Sequence, residues 1–179
     1  NQLSGAPPTQ MNLRMTLPAT ATDAGAPGDI HPLSVDYFNN LGKSESVDIE
    51  LIPTVPATGS SNEWTMVLRD SASGGAIIGE YTLTCTDNRT AGGTLSSVTP
   101  VSGGAYDPAT GSVMVNVAGG PMEVNIGLIG DADGITQLSD TFAPVSITRD
   151  GSAVGTMTSV QGDENGYVYA FYDTGVSRR

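Results

Sequence analysis

Apolar residues recur along this chain at a spacing of two. Met11, Leu13, Met15 and Leu17 alternate with polar neighbours, and Val47, Ile49 and Leu51 alternate with Asp48 and Glu50. Successive side chains on a strand point to opposite faces, so this period predicts strands with one buried face rather than helices, whose apolar positions repeat at three and four. The same reading predicts strands over Trp64 to Arg69, Ile77 to Cys85, Thr94 to Val98, Ser112 to Val117 and Glu123 to Ile129. Turn chemistry separates them: Ser73-Gly74-Gly75, Asp87-Asn88, Gly92-Gly93, Ser102-Gly103-Gly104, Asp107-Pro108, Gly119-Gly120-Pro121 and Asp133-Gly134. Near the end, Asp150-Gly151 and the run Gly162 to Gly166 frame two further hairpins, the second joining Thr156–Val160 to Tyr167–Tyr172. About ten short strands at this spacing predict an all-β protein of sandwich or barrel type.

The segment Ala19 to Pro32, dominated by Ala, Thr, Asp, Gly and Pro, reads as a linker, and a second boundary is expected between Gly130 and Thr141. These boundaries predict two small antiparallel β-domains, one formed by residues 1–20 and 141–179 and the other, 21–140, inserted into it.

Charge narrows the partners. Nineteen acidic against seven basic residues give a net charge of −12, which removes the positive footprint that nucleic acid or an anionic membrane surface requires. The single Cys85 cannot form an intramolecular disulfide, so no stapled scaffold is expected. No apolar stretch is long enough for a spanning helix, and the N-terminus lacks the basic-then-apolar order of a secretory signal.

Candidate chemistry is sparse. His31 precedes a proline in the expected linker with no Cys or second His nearby, and reads as an exposed loop residue rather than a ligand. Asp131, Asp133 and Asp140 partly match a calcium loop, but the remaining oxygen positions and the terminal Glu are missing, which favours turn chemistry. Asp163 and Glu164 are neighbours on a hairpin tip without a pocket for paired-carboxylate work. Cys85 has no adjacent base to activate it and reads as a small buried or semi-buried strand residue. Tyr167, Tyr169, Phe171 and Tyr172, with Trp64, could form a stacking platform, although alternation on one strand suits cross-strand packing better. The expectation is therefore no catalytic, cofactor-binding or metal-binding residue, and no enzyme.

Three stretches resemble flagellar axial proteins of the rod and hook family. Asn12-Leu13-Arg14-Met15-Thr16-Leu17-Pro18-Ala19-Thr20-Ala21 is similar to the entry to that family's hook middle domain. Ser34-Val35-Asp36-Tyr37-Phe38-Asn39-Asn40-Leu41-Gly42-Lys43 resembles its hairpin, with Lys43 where the family often has a small polar residue. Asn165-Gly166-Tyr167-Val168-Tyr169-Ala170 resembles the closing segment of its inner domain, and Asp173-Thr174-Gly175 replaces the usual Ser-Asn-Gly there. The resemblance implies a structural subunit of the hook, a curved tube that passes motor torque to the filament and serves as an export channel. It also implies partners: copies of itself in a helical tube, with rod and hook-associated proteins, outside the cell after export without a cleaved signal. Since the helical ends that line the channel in this family are not in the sequence, the isolated chain is expected to be monomeric. The other readings of the same residues are a distal rod protein and an extracellular adhesin or carbohydrate-binding sandwich.

Overall fold

The alternation that opens the sequence reappears as burial. In the computed structural model, which describes residues 10–87, 92–138, 142–149, 156–160 and 168–172, strand β1 (Gln10–Leu17) buries Met11, Leu13, Met15 and Leu17 and leaves its intervening residues partly or fully exposed. The other strands are β2 (His31–Phe38), β3 (Ser44–Pro53), β4 (Glu63–Asp70), β5 (Ala76–Cys85), β6 (Leu95–Ser102), β7 (Tyr106–Asp107) and β8 (Ser112–Val117). They continue as β9 (Gly120–Asn125), β10 (Ile135–Gln137), β11 (Ala143–Arg149), β12 (Thr156–Val160) and β13 (Val168–Tyr172). Two short 3-10 turns, Ala19–Thr22 and Ser71–Ser73, are the helical elements among the described residues, so the protein is all-β.

The strands form two sheets. The larger runs β13-β12-β2-β3-β4-β5-β6 and is antiparallel throughout. The other has the order β10-β1-β9-β8-β7, with β11 also on β1. This second sheet is mixed: β1 runs antiparallel to β11 but parallel to β9, at Gln10 to Asn12, and to β10, at Met15 to Leu17. A parallel neighbour must arrive by a long crossover, and here each is more than a hundred residues from β1. Through these pairings β1 joins the last segment, at β11, and the middle segment, at β9 and β10.

Among the described residues, one core lies between the sheets. Val35, Ile49, Leu51, Met66 and Leu68 of the larger sheet cluster with Met11, Leu13, Val113, Val115, Val124 and Ile135 of the other. Each such aliphatic side chain withdrawn from water contributes about 1.5–3 kcal/mol. The close approach is visible at Gly79 on β5, where an added Cβ would lie 2.9 Å from Cγ1 of Val115 on β8.

Some local expectations shift. The expected turn at Gly119-Gly120-Pro121 is a two-residue turn, Ala118-Gly119, because Val117 pairs with Gly120 and Pro121 is already in the ladder. The strand expected to reach Ile129 ends at Asn125, where the Asn125 side chain accepts from the Gly127 N–H at 3.0 Å and turns the chain. The expected linker 19–32 is largely built in. Thr22 is fully buried with its hydroxyl on the Ala19 carbonyl at 2.9 Å, Asp23 bridges to Ser60, and β2 has begun by His31.

Candidate functional site

Ser71-Ala72-Ser73-Gly74-Gly75 follows β4 and is tied to its last residue. Asp70 caps this turn, accepting at Oδ1 from the Ala72 N–H (3.1 Å) and at Oδ2 from the Ser73 hydroxyl (3.0 Å). The carboxylate is fully buried, and it also accepts from the Tyr37 hydroxyl at 2.6 Å and from the Ala118 N–H at 2.8 Å. Four donors compensate the desolvation of one charge. Tyr37 lies on β2 and Ala118 in the β8–β9 turn, so Asp70 holds three neighbouring strands and the opposite sheet together. Burial, and then the hydrogen bond to Asp70, raise the Tyr37 hydroxyl well above the ordinary tyrosine range.

A second polar tie spans the sheets at the far end of β4. Trp64 Nε1 donates to Gln137 Oε1 at 2.8 Å, and Gln137 Nε2 donates to Asn62 Oδ1 at 2.7 Å. Trp64 and Gln137 are both buried, which is permitted because their polar atoms satisfy one another. Asn62 adopts the left-handed conformation, with φ of 54°, a region that Asn tolerates better than most residues. These groups serve packing: every donor and acceptor named is committed to another part of the chain.

The residues singled out for chemistry are scattered. His31 is not an exposed loop residue. It starts β2, opposite Leu51, and its ring meets Trp64 edge-on (centroids 5.6 Å apart) and Phe142 at 5.3 Å, because strand pairing draws it to the core's edge. Cys85 is buried at the end of β5, and burial pushes its thiol up to about 12. Asp131 and Asp133 form a turn, with Asp131 Oδ1 accepting from the Asp133 N–H at 2.9 Å, and Asp133 pairs with Arg14 at 3.5 Å. Asp140, Asp163, Glu164 and Tyr167 lie outside the described residues. Tyr169, Phe171 and Tyr172 fall on β13, which pairs with β12 as the hairpin pattern requires. Trp64 is fully buried and unavailable to a surface platform.

Exposed apolar residues mark the outside. Leu41, at the tip of the β2–β3 hairpin, is 86% exposed. Asn39 organises the tip by accepting at Oδ1 from the N–H groups of Leu41 (2.9 Å) and Lys43 (3.0 Å), while Gly42 takes the left-handed φ of 79°. This is the hairpin that the sequence pattern at Ser34 to Ser44 anticipates. Leu128 and Ile129, between β9 and β10, and Leu138, just after β10, are exposed.

No protein-family profile matches the chain. It is 30% identical, over 85% of its length, to the flagellar hook protein FlgE of Rhizobium meliloti. Over 59% of its length it is 33% identical to the FlgE of Caulobacter vibrioides. The chain belongs with the flagellar hook proteins. The matched part of the chain spans 34% of the Rhizobium relative and 17% of the Caulobacter one. Since 85% of the chain is matched, the similarity also covers most of the region from Ala72 to Gly130, which holds none of the three resembling stretches.

Proposed function

We propose that this chain is a non-enzymatic, structural part of a hook subunit, which packs against copies of itself in a helical tube outside the cell. The observation that carries the reading is the similarity to a flagellar hook protein along 85% of the chain. In this reading the curved tube transmits motor torque to the filament and encloses an export channel, and it meets rod and hook-associated proteins at its ends. Export by the flagellar apparatus, without a cleaved signal, belongs to the same proposal. So does the division into an inserted middle domain, 21–140, and an inner domain formed by 1–20 with 141–179.

The physical support is the contrast between interior and surface. Asp70 and Gln137 lock the two sheets internally, so the unit keeps its shape, whereas exposed polar contacts are individually weak and can exchange as a tube bends. Antibody raised against this chain and applied to purified flagella tests the placement by electron microscopy. Label confined to the hook supports the proposal; label on the filament or the cell body alone overturns it.

A further inference from the structure

The molecule is polarised along its strands. The pairing of Phe38 with Ser44 and of Val47 with Asp70 puts the β2–β3 tip and the Ser71–Ser73 turn at one end of the larger sheet. That end also carries Ala118, through its hydrogen bond to Asp70. The tip itself, residues 39–44, contains no acidic residue and presents Leu41 beside the exposed Lys43. The nearest carboxylates are engaged within the molecule, Glu45 by the Ser71 hydroxyl at 2.7 Å and Asp70 by its four donors.

The opposite end is different. Pro53 pairs with Trp64 and Cys85 with Leu95 there, and the Gly130 N–H donates to the Leu95 carbonyl at 2.9 Å. This bond anchors the loop carrying Leu128 (36% exposed) and Ile129 (45%) at that end, next to Asp131 and Asp133. Asp29, just before β2, and Asp87, just after β5, lie at the same end. Among the described residues, Arg14 on Asp133 is the cation held against this group. Ten residues of β3 separate the two ends by about 33 Å, so tip and loop cannot meet within one molecule.

We infer that the Leu41–Lys43 tip of one copy docks on the Leu128–Ile129 loop and its flanking aspartates in the next copy. This deepens, and rests on, the hook reading. Complementarity selects the occupant: an apolar knob with a cation at one pole faces an apolar, acidic patch at the other. A contact between two different patches at opposite poles is heterologous, and it propagates as a line or helix instead of closing into a dimer. One hairpin tip covers far less than the roughly 1,000 Å² of a stable interface. The contact is therefore silent in dilute solution and registers in an assembled polymer, where other contacts hold the copies close.

The test is disulfide trapping in polymers assembled from the whole subunit carrying Leu41→Cys and Ile129→Cys. Cys85 is buried and does not compete. Oxidation is expected to give a ladder of dimers, trimers and higher species in denaturing gels from the double variant, and none from either single variant. Dimers from Leu41→Cys alone would show tip-to-tip packing and overturn the inference, as would polymers of the double variant that give no ladder. Either result leaves the hook reading standing, whereas an unsubstituted subunit that forms no polymer sinks that reading and this one together. Should the double variant not assemble, a photoreactive side chain at position 41, mapped by mass spectrometry, decides. A cross-link to the 128–138 region of another copy supports the inference, and any other pattern overturns it.

Discussion

At the scale of single residues, the most consequential side chain is one that the sequence does not advertise. Asp70 sits in Arg69-Asp70-Ser71, where a surface turn would be the ordinary reading, yet it is fully buried with four donors. Removing one partner of a buried charged network strands the others. Asp70→Ala is therefore expected to lower stability by about 3 kcal/mol or more, measured by urea unfolding. Combined with Tyr37→Phe, the loss should fall short of the sum of the single losses, because one substitution removes the hydroxyl that the other orphans. Strict additivity would show that the 2.6 Å contact carries no coupling. Cys85 gives a second residue-scale expectation. Its folded thiol, raised from 9.0 to about 12 by burial, favours the protonated form, so its contribution to stability is complete below pH 9.0. It is lost as pH rises toward 12. Thiol labelling at pH 8 should accordingly be slow in buffer and fast in denaturant, and equal rates would contradict the burial.

At the scale of elements, strand identity was legible wherever one face is buried. Met11 to Leu17, Val47 to Leu51 and Ser112 to Val117 show the period directly, and each is a strand with that face inward. The pattern fails where pairing, not burial, defines the strand. β7 has two residues and β10 three, too short for any period, and β10 exists because it lies parallel to the end of β1. The β9–β10 junction makes this concrete. Gly134 has a buried position where an added Cβ would stand 2.6 Å from the Gly127 Cα and 2.6 Å from the Ile126 carbonyl oxygen. Backbone cannot yield as a flexible side chain does, so Gly134→Ala is expected to cost about 2 kcal/mol or more. Gly130→Ala meets nothing within 4 Å and carries only the strain of its φ of +80°, expected at about 1 kcal/mol. Melting temperatures of the two variants check the order; a milder Gly134→Ala would mean that the junction is looser than drawn.

At the scale of the whole molecule, both sheets contribute to a single cluster that includes residues of β1, β3, β8 and β10 and Phe142. Shared core residues couple the sheets, so unfolding of the chain is expected to be one cooperative transition followed by tryptophan fluorescence, which reports Trp64 between the sheets, and by far-ultraviolet circular dichroism. Two separated transitions would instead divide the sheets into independent folding units. Dilute chain is expected to sediment as a monomer, since the proposed tip-to-loop contact is small; a stable oligomer at micromolar concentration would require an interface elsewhere.

The sequence by itself determined the all-β class, most strand positions, the β2–β3 hairpin, the strand position of Cys85 and the kinship with hook proteins. These are local properties: period, turn residues and short wording survive in one dimension. Tertiary structure alone decided that β1 runs parallel to β9 and β10, that His31 packs against Trp64 and Phe142, that Asp70 and Gln137 are buried ties between sheets, and that Leu41 and Ile129 stand at opposite poles. Each depends on groups 30 or more residues apart meeting in space, and a polar residue's environment is set by whatever the fold brings to it, which no local pattern encodes.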